Sequence, residues 1–143
     1  MKNKGALAEF AEERAKDLYS AYKEYIENCS LINVKEAYSS IVEKPARRFY
    51  VSGIRANVVM SAIERGKKPL ENMLPLKREM YEEIYQRVVA MKKANPEYDL
   101  CLCCFLVVEQ TAPKYYISGE AAYAIVCKAR KRWKKELRKR VLR

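Results

Sequence analysis

Apolar positions recur at helical spacing along most of the chain. Leu7, Ala11, Leu18, Tyr22 and Tyr25 fall on one stripe and predict a helix over Ala6–Asn28. Leu76, Met80, Ile84, Val88 and Met91 do the same for Leu76–Ala94. After each long helix a capping residue, Asn33 or Asp99, opens a shorter helix running towards Glu43 or Glu109. Proline then stops it, Pro45 in one case and Pro113 in the other. A short aromatic turn follows, and Ser52 or Ser118 caps a third helix. The triplets Phe49-Tyr50-Val51 and Tyr115-Tyr116-Ile117 also have strand propensity, but three residues between a proline and a capping serine fit a packed turn better. Leu100–Val108 is apolar enough for a buried strand. Its counterpart Val34–Val42, with Lys35, Glu36, Ser39 and Ser40, favours a helix.

That counterpart comes from an ungapped internal repeat at a shift of 66 residues. Arg48-Phe49-Tyr50-Val51-Ser52-Gly53 aligns with Lys114-Tyr115-Tyr116-Ile117-Ser118-Gly119, and the match continues through Ala56 with Ala122 and Val59 with Ile125. Backwards it pairs Ile41-Val42-Glu43 with Val107-Val108-Glu109, and Asp17-Leu18-Tyr19 with Glu83-Ile84-Tyr85. Several correlated blocks at one shift indicate a duplicated unit. The expected organisation is all-α with about six helices: a first three-helix repeat over 1–66, a linker over 67–75 containing Gly66-adjacent Lys67-Lys68-Pro69, and a second repeat over 76–143.

A third helix with a small apolar inner face and a polar or basic outer face is the layout of a helix-turn-helix unit. In the second repeat Ala122, Ile125, Val126, Ala129, Trp133 and Leu137 are expected inward, opposite Tyr123, Lys128, Lys131, Lys134, Lys135 and Arg138. In the first, Ala56, Val59, Met60 and Ile63 are expected inward, opposite Ile54, Asn57, Val58 and Ser61, with Arg55 at the edge. Arg55 and Asn57 have the hydrogen-bonding chemistry to read guanine and adenine edges. Arg47, Arg48 and Lys114, just ahead of the third helices, are placed as phosphate clamps, with Ser52 and Ser118 at the helix starts.

Charge sharpens this picture. The net charge is +11, and Lys128–Arg143 alone holds ten Lys or Arg against one acid, Glu136. One end is a concentrated cation, suited to nucleic acid or an acidic surface. A lysine-rich helix end can also be simply solvated, and it is favoured there by the helix dipole.

The stretch Tyr116-Ile117-Ser118, Ile125, Ala129-Arg130-Lys131-Arg132 and Leu137 resembles the last helix of the region-4 helix-turn-helix of sigma-like factors. There an Ile-Ser turn precedes a helix with a basic Ala-Arg-x-Arg segment. The resemblance implies recognition-helix roles for outward residues from Glu120 to Lys131, and nothing about polymerase binding. The partner helix departs from that family, because Asp99–Gln110 is more apolar and cysteine-rich. The paired aromatic turns also look like small phage and mobile-element proteins of gut bacteria.

Other chemistry is disfavoured. The chain has no histidine, which removes the commonest general base and metal ligand. Its four glycines form no phosphate loop. Cys101, Cys103 and Cys104 lack the spacing of a zinc ribbon and a second ligand pair, and they read as small buried hydrophobes. Five cysteines in this arrangement favour reduced thiols, and Met1-Lys2-Asn3-Lys4 leads into an amphipathic segment without a signal-peptide core. The expectation is therefore a cytoplasmic, non-enzymatic binder of double-stranded DNA without cofactor, metal or membrane, such as a small regulator or a genome-packaging or maintenance factor of a mobile element. Two alternatives stand beside it: a structural or adaptor module for an acidic protein partner or a second copy, and an RNA binder using the tyrosines of the turns.

Overall fold

A computed structural model describes the backbone of residues 4–30 and 33–142, and side chains from Phe10 onward within those segments. Among the described residues the fold is all-α, with six α-helices: α1 (Lys4–Glu27), α2 (Val34–Ile41), α3 (Gly53–Glu64), α4 (Pro75–Ala94), α5 (Leu100–Val108) and α6 (Gly119–Val141). A short 3-10 helix, Pro69–Asn72, interrupts the linker.

The helix starts follow local chemistry. Asn33 accepts hydrogen bonds from the backbone N–H of Lys35 and Glu36. Asp99 does the same for Leu102, Ser52 for Arg55 and Ser118 for Ala121. Each cap satisfies an N–H that the first helical turn leaves without a partner, worth about 1 kcal/mol. Pro75 opens α4, where its missing N–H costs nothing.

The repeat dictates a pseudo-two-fold arrangement, but not two consecutive bundles. α3 packs on α5 and α4, both from the second repeat, while α6 packs on α2 and α1 from the first. Each three-helix cluster therefore takes its third helix from the other repeat. The aromatic segments are not compact turns between neighbouring helices. They are crossing arms that run past each other at the centre.

Backbone hydrogen bonds record the symmetry. Ala46 and Ala112, 66 apart, exchange reciprocal N–H to O bonds of 2.9 Å in one isolated antiparallel bridge. The N–H of Phe49 donates to the carbonyl of Val108 at 3.0 Å, and its counterpart Tyr115 donates to Val42 at 2.9 Å. Tyr50 stacks on Tyr115, and Phe49 stacks on Tyr116, which is the same contact seen from the other repeat.

The core is continuous through this crossing. Leu18, Ile41, Phe49, Met60, Ile84, Val107 and Val126 are fully buried in one cluster. Tyr22, Ile63, Met80 and Ile125 among the expected core positions are half-buried, and two are exposed: Ala11, and Leu137 at 60% because α6 runs on past the cluster it packs against. Leu7 lies outside the described side chains. Cys103 and Cys104 are buried as expected, whereas Cys101, in the first turn of α5, is exposed; burial pushes the Cys104 thiol up to about 12. No helix is long and apolar enough to cross a membrane among the described residues.

Candidate functional site

Two features carry chemistry: a cationic stripe on α6 and a basic, aromatic cavity on the pseudo-two-fold axis.

The stripe arises because α6 is 23 residues long, whereas its repeat counterpart α3 has 12. Ala122, Val126 and Ala129 seal α6 against its cluster, and Trp133 fixes the extension. The indole Nε1–H of Trp133 donates to Glu12 Oε2 at 2.6 Å, and Arg132 pairs with Glu12 Oε1 at 2.9 Å. Arg130 and Trp133 both lie against the Tyr19 ring. With that face committed to α1, Lys128, Lys131, Lys134, Lys135 and Arg138 stand exposed on the opposite side. Among the described residues none of these five pairs with a carboxylate. At a rise of 1.5 Å per residue the stripe is about 15 Å long.

The remaining residues singled out by sequence are engaged within the protein. Arg47 bridges Glu13 and Asp17, which raises its already high pKa, so it braces its arm against α1. Arg48 donates to the carbonyls of Phe49 (2.9 Å) and Val51 (3.3 Å) and lies over the Phe10 ring. Lys114 pairs with Glu79 at 2.7 Å and Glu43 at 3.8 Å. Neither Arg48 nor Lys114 is a free phosphate clamp. Asn57 and Ser61 are half-buried and 3.5 Å apart through Ser61 Oγ and Asn57 Oδ1. Tyr123 is half-exposed and sits edge-on to the Tyr38 ring, in a tyrosine row with Tyr22. Ser52 and Ser118 serve as caps.

The cavity has a volume of about 440 Å³ and is built from both crossing arms, with α1 on one side and α4 on the other. Arg48, Ser52, Arg55 and Lys114, all singled out by sequence, line it. Phe49, Tyr50, Tyr115 and Tyr116 supply its aromatic walls. Burial raises the hydroxyl pKa of Tyr50, Tyr81 and Tyr115, and that of Tyr116 to about 12, so these groups are neutral donors at neutral pH. Tyr116 has φ 60°, a left-handed conformation that costs a bulky residue about 1–3 kcal/mol.

Sequence reasoning missed Arg14 and Lys77, which also line the cavity. Arg14 had a signal. It aligns with Met80, an inward position of the second repeat, so it places a charge on an apolar stripe. Its Nε is buried without a hydrogen-bond partner among the described residues, and desolvation lowers its pKa. No group of three or more Cys, Asp or Glu side chains is arranged to hold a metal among the described residues. No protein-family model, curated protein or solved structure matches the chain.

Proposed function

We propose that the protein binds double-stranded DNA, with α6 as its phosphate-contacting element. One observation carries this reading: five exposed cations on one face of α6 with no carboxylate partner among the described residues, on a helix held rigid by Trp133 and Glu12. A helix of this kind neutralises backbone phosphates, and release of condensed counterions supplies the affinity. Arg55 and Asn57 are half-buried, and Asn57 Oδ1 accepts from Ser61 Oγ, so base reading by these side chains is not expected. The binding expected is tolerant of sequence, closer to packaging or maintenance of a genome than to recognition of one operator.

The test is a mobility shift with random duplex DNA over a salt series. Five phosphate contacts predict a log–log slope of about −4.5, and Lys131→Glu with Lys134→Glu should flatten it by about 2. Binding indifferent to salt, or unchanged in the double variant, overturns the proposal. Single-stranded RNA should compete poorly with the duplex.

A second reading is favoured by a separate observation. Ile54, Val58, Leu102, Phe105 and Leu106 are all between 38% and 69% exposed on α3 and α5. Their repeat counterparts on α6 and α2 are Glu120, Ala124, Glu36, Ser39 and Ser40. Among the described residues the cluster of α3 and α5 thus carries the more open apolar face, suited to a protein partner or a second copy. A stable homo-oligomer that Ile54→Glu dissolves, with no DNA shift at low salt, would support this reading over the first.

A further inference from the structure

We infer that the cavity on the pseudo-two-fold axis binds a small organic anion bearing a planar ring. Arg14, Arg48, Arg55, Lys77 and Lys114 line the space, and among the described residues no acidic side chain does. Lys114 is neutralised by Glu79 and Glu43, and Arg48 is held by backbone carbonyls. Arg14 and Lys77 have no ion pair among the described residues. Ser52 caps α3 from the cavity wall, so the positive end of that helix dipole lies at the same space. The buried, unpartnered Nε of Arg14 is the stronger sign. A guanidinium desolvated without a counter-charge is costly, and an anion in the cavity supplies what the fold does not.

The shape of the ligand follows from the walls. A volume of about 440 Å³ lies within the ~300–1,000 Å³ of pockets for drug-sized ligands, far more than inorganic phosphate fills. Phe49, Tyr115 and Tyr116 supply aromatic carbon to its walls, and Val51, Met80 and Ile117 complete the apolar lining. An anionic group at Arg14 or Lys77 with a flat ring against the aromatic wall satisfies both halves of the site. Because both arms contribute, the ligand would lie across the crossing that holds the two clusters together. None of the α6 stripe lines this cavity, so the inference is independent of the DNA reading.

Isothermal titration calorimetry on the full chain tests it, with adenosine monophosphate, salicylate and inorganic phosphate as probes. At least one ring-bearing anion should bind saturably, one per chain, and at least tenfold more tightly than inorganic phosphate. The two ring-bearing probes separate a phosphate from a carboxylate ligand. Arg14→Met installs the residue that the other repeat carries at this position. It should weaken binding at least tenfold while the melting temperature holds or rises, because an unpartnered charge is removed. Lys131→Glu with Lys134→Glu should leave this binding unchanged. The inference is overturned if neither ring-bearing probe binds at millimolar concentration. It is equally overturned if binding survives Arg14→Met, or if that variant loses stability, which would make Arg14 a structural residue.

Discussion

Gly53 and Gly119 start α3 and α6 at matching repeat positions, and each is pressed against the opposite repeat. A Cβ on Gly119 would lie 2.8 Å from Ser39 Oγ, 2.9 Å from its backbone N and 3.0 Å from its Cα. A Cβ on Gly53 would overlap the Phe105 ring. Overpacking of this kind costs about 1–3 kcal/mol. Gly119→Ala meets backbone that cannot swing away, so its cost should fall in the upper part of that range. Gly53→Ala meets a side chain that is 42% exposed and able to move, so its cost should be nearer 1 kcal/mol. The pairing is what the exchange of helices creates. Were each third helix packed within its own repeat, Gly53 would meet Ser39 and Gly119 would meet Phe105. A double-mutant cycle separates the two arrangements. In urea unfolding followed by circular dichroism, Phe105→Ala should rescue Gly53→Ala, leaving the pair about 1 kcal/mol more stable than the sum of the single changes. The same substitution should be additive with Gly119→Ala to within about 0.5 kcal/mol. Unchanged m-values are needed for the comparison. Coupling of Phe105 to Gly119 instead of Gly53 would refute the exchanged packing.

Two further outcomes follow from the same structure. The hydrogen bond from Arg132, opposed by burial and aided by Trp133, lowers the pKa of Glu12 below its ordinary 4.5. A depressed carboxylate stabilises above its unfolded value and loses that contribution as pH falls through the folded one, so the window lies below 4.5. Emission from Trp133, the single tryptophan, should therefore change on acidification below 4.5, and Glu12→Gln should abolish the step; a step at higher pH, or one persisting in Glu12→Gln, would contradict the contact. Ellman's reagent on the native protein should react fastest with exposed Cys101 and leave Cys103 and Cys104 untouched until denaturant is added, since burial removes access and raises both thiol pKa values; Cys101→Ser that keeps the fast phase would argue against this placement.

Much of the helical content was determined by sequence alone, because the forces that set it act over a few residues. Asn33, Ser52, Asp99 and Ser118 cap the helices that they precede, and the periodic stripes bury Leu18, Ile84 and Val88. The 66-residue register holds in the structure down to reciprocal hydrogen bonds. The excess charge of α6 was equally legible, since a run of lysines and arginines needs no partner to be recognised.

Only the tertiary structure decided which cluster each third helix joins. The two repeats offer α3 and α6 nearly the same inner surface, so hydrophobic pattern is silent on whether a helix docks on its own repeat or the other. The connection settles it, because the arms pair with each other through Ala46 and Ala112 and carry each helix across. The cavity depends on that crossing. Arg14, Arg55, Lys77 and Lys114 are far apart in the chain, and Arg48 looked like a clamp for an external phosphate. Crossed arms flanked by α1 and α4 gather them around one space. A long-range contact of this kind leaves no periodic trace in a sequence, apart from the charge of Arg14 on a stripe that its counterpart Met80 keeps apolar.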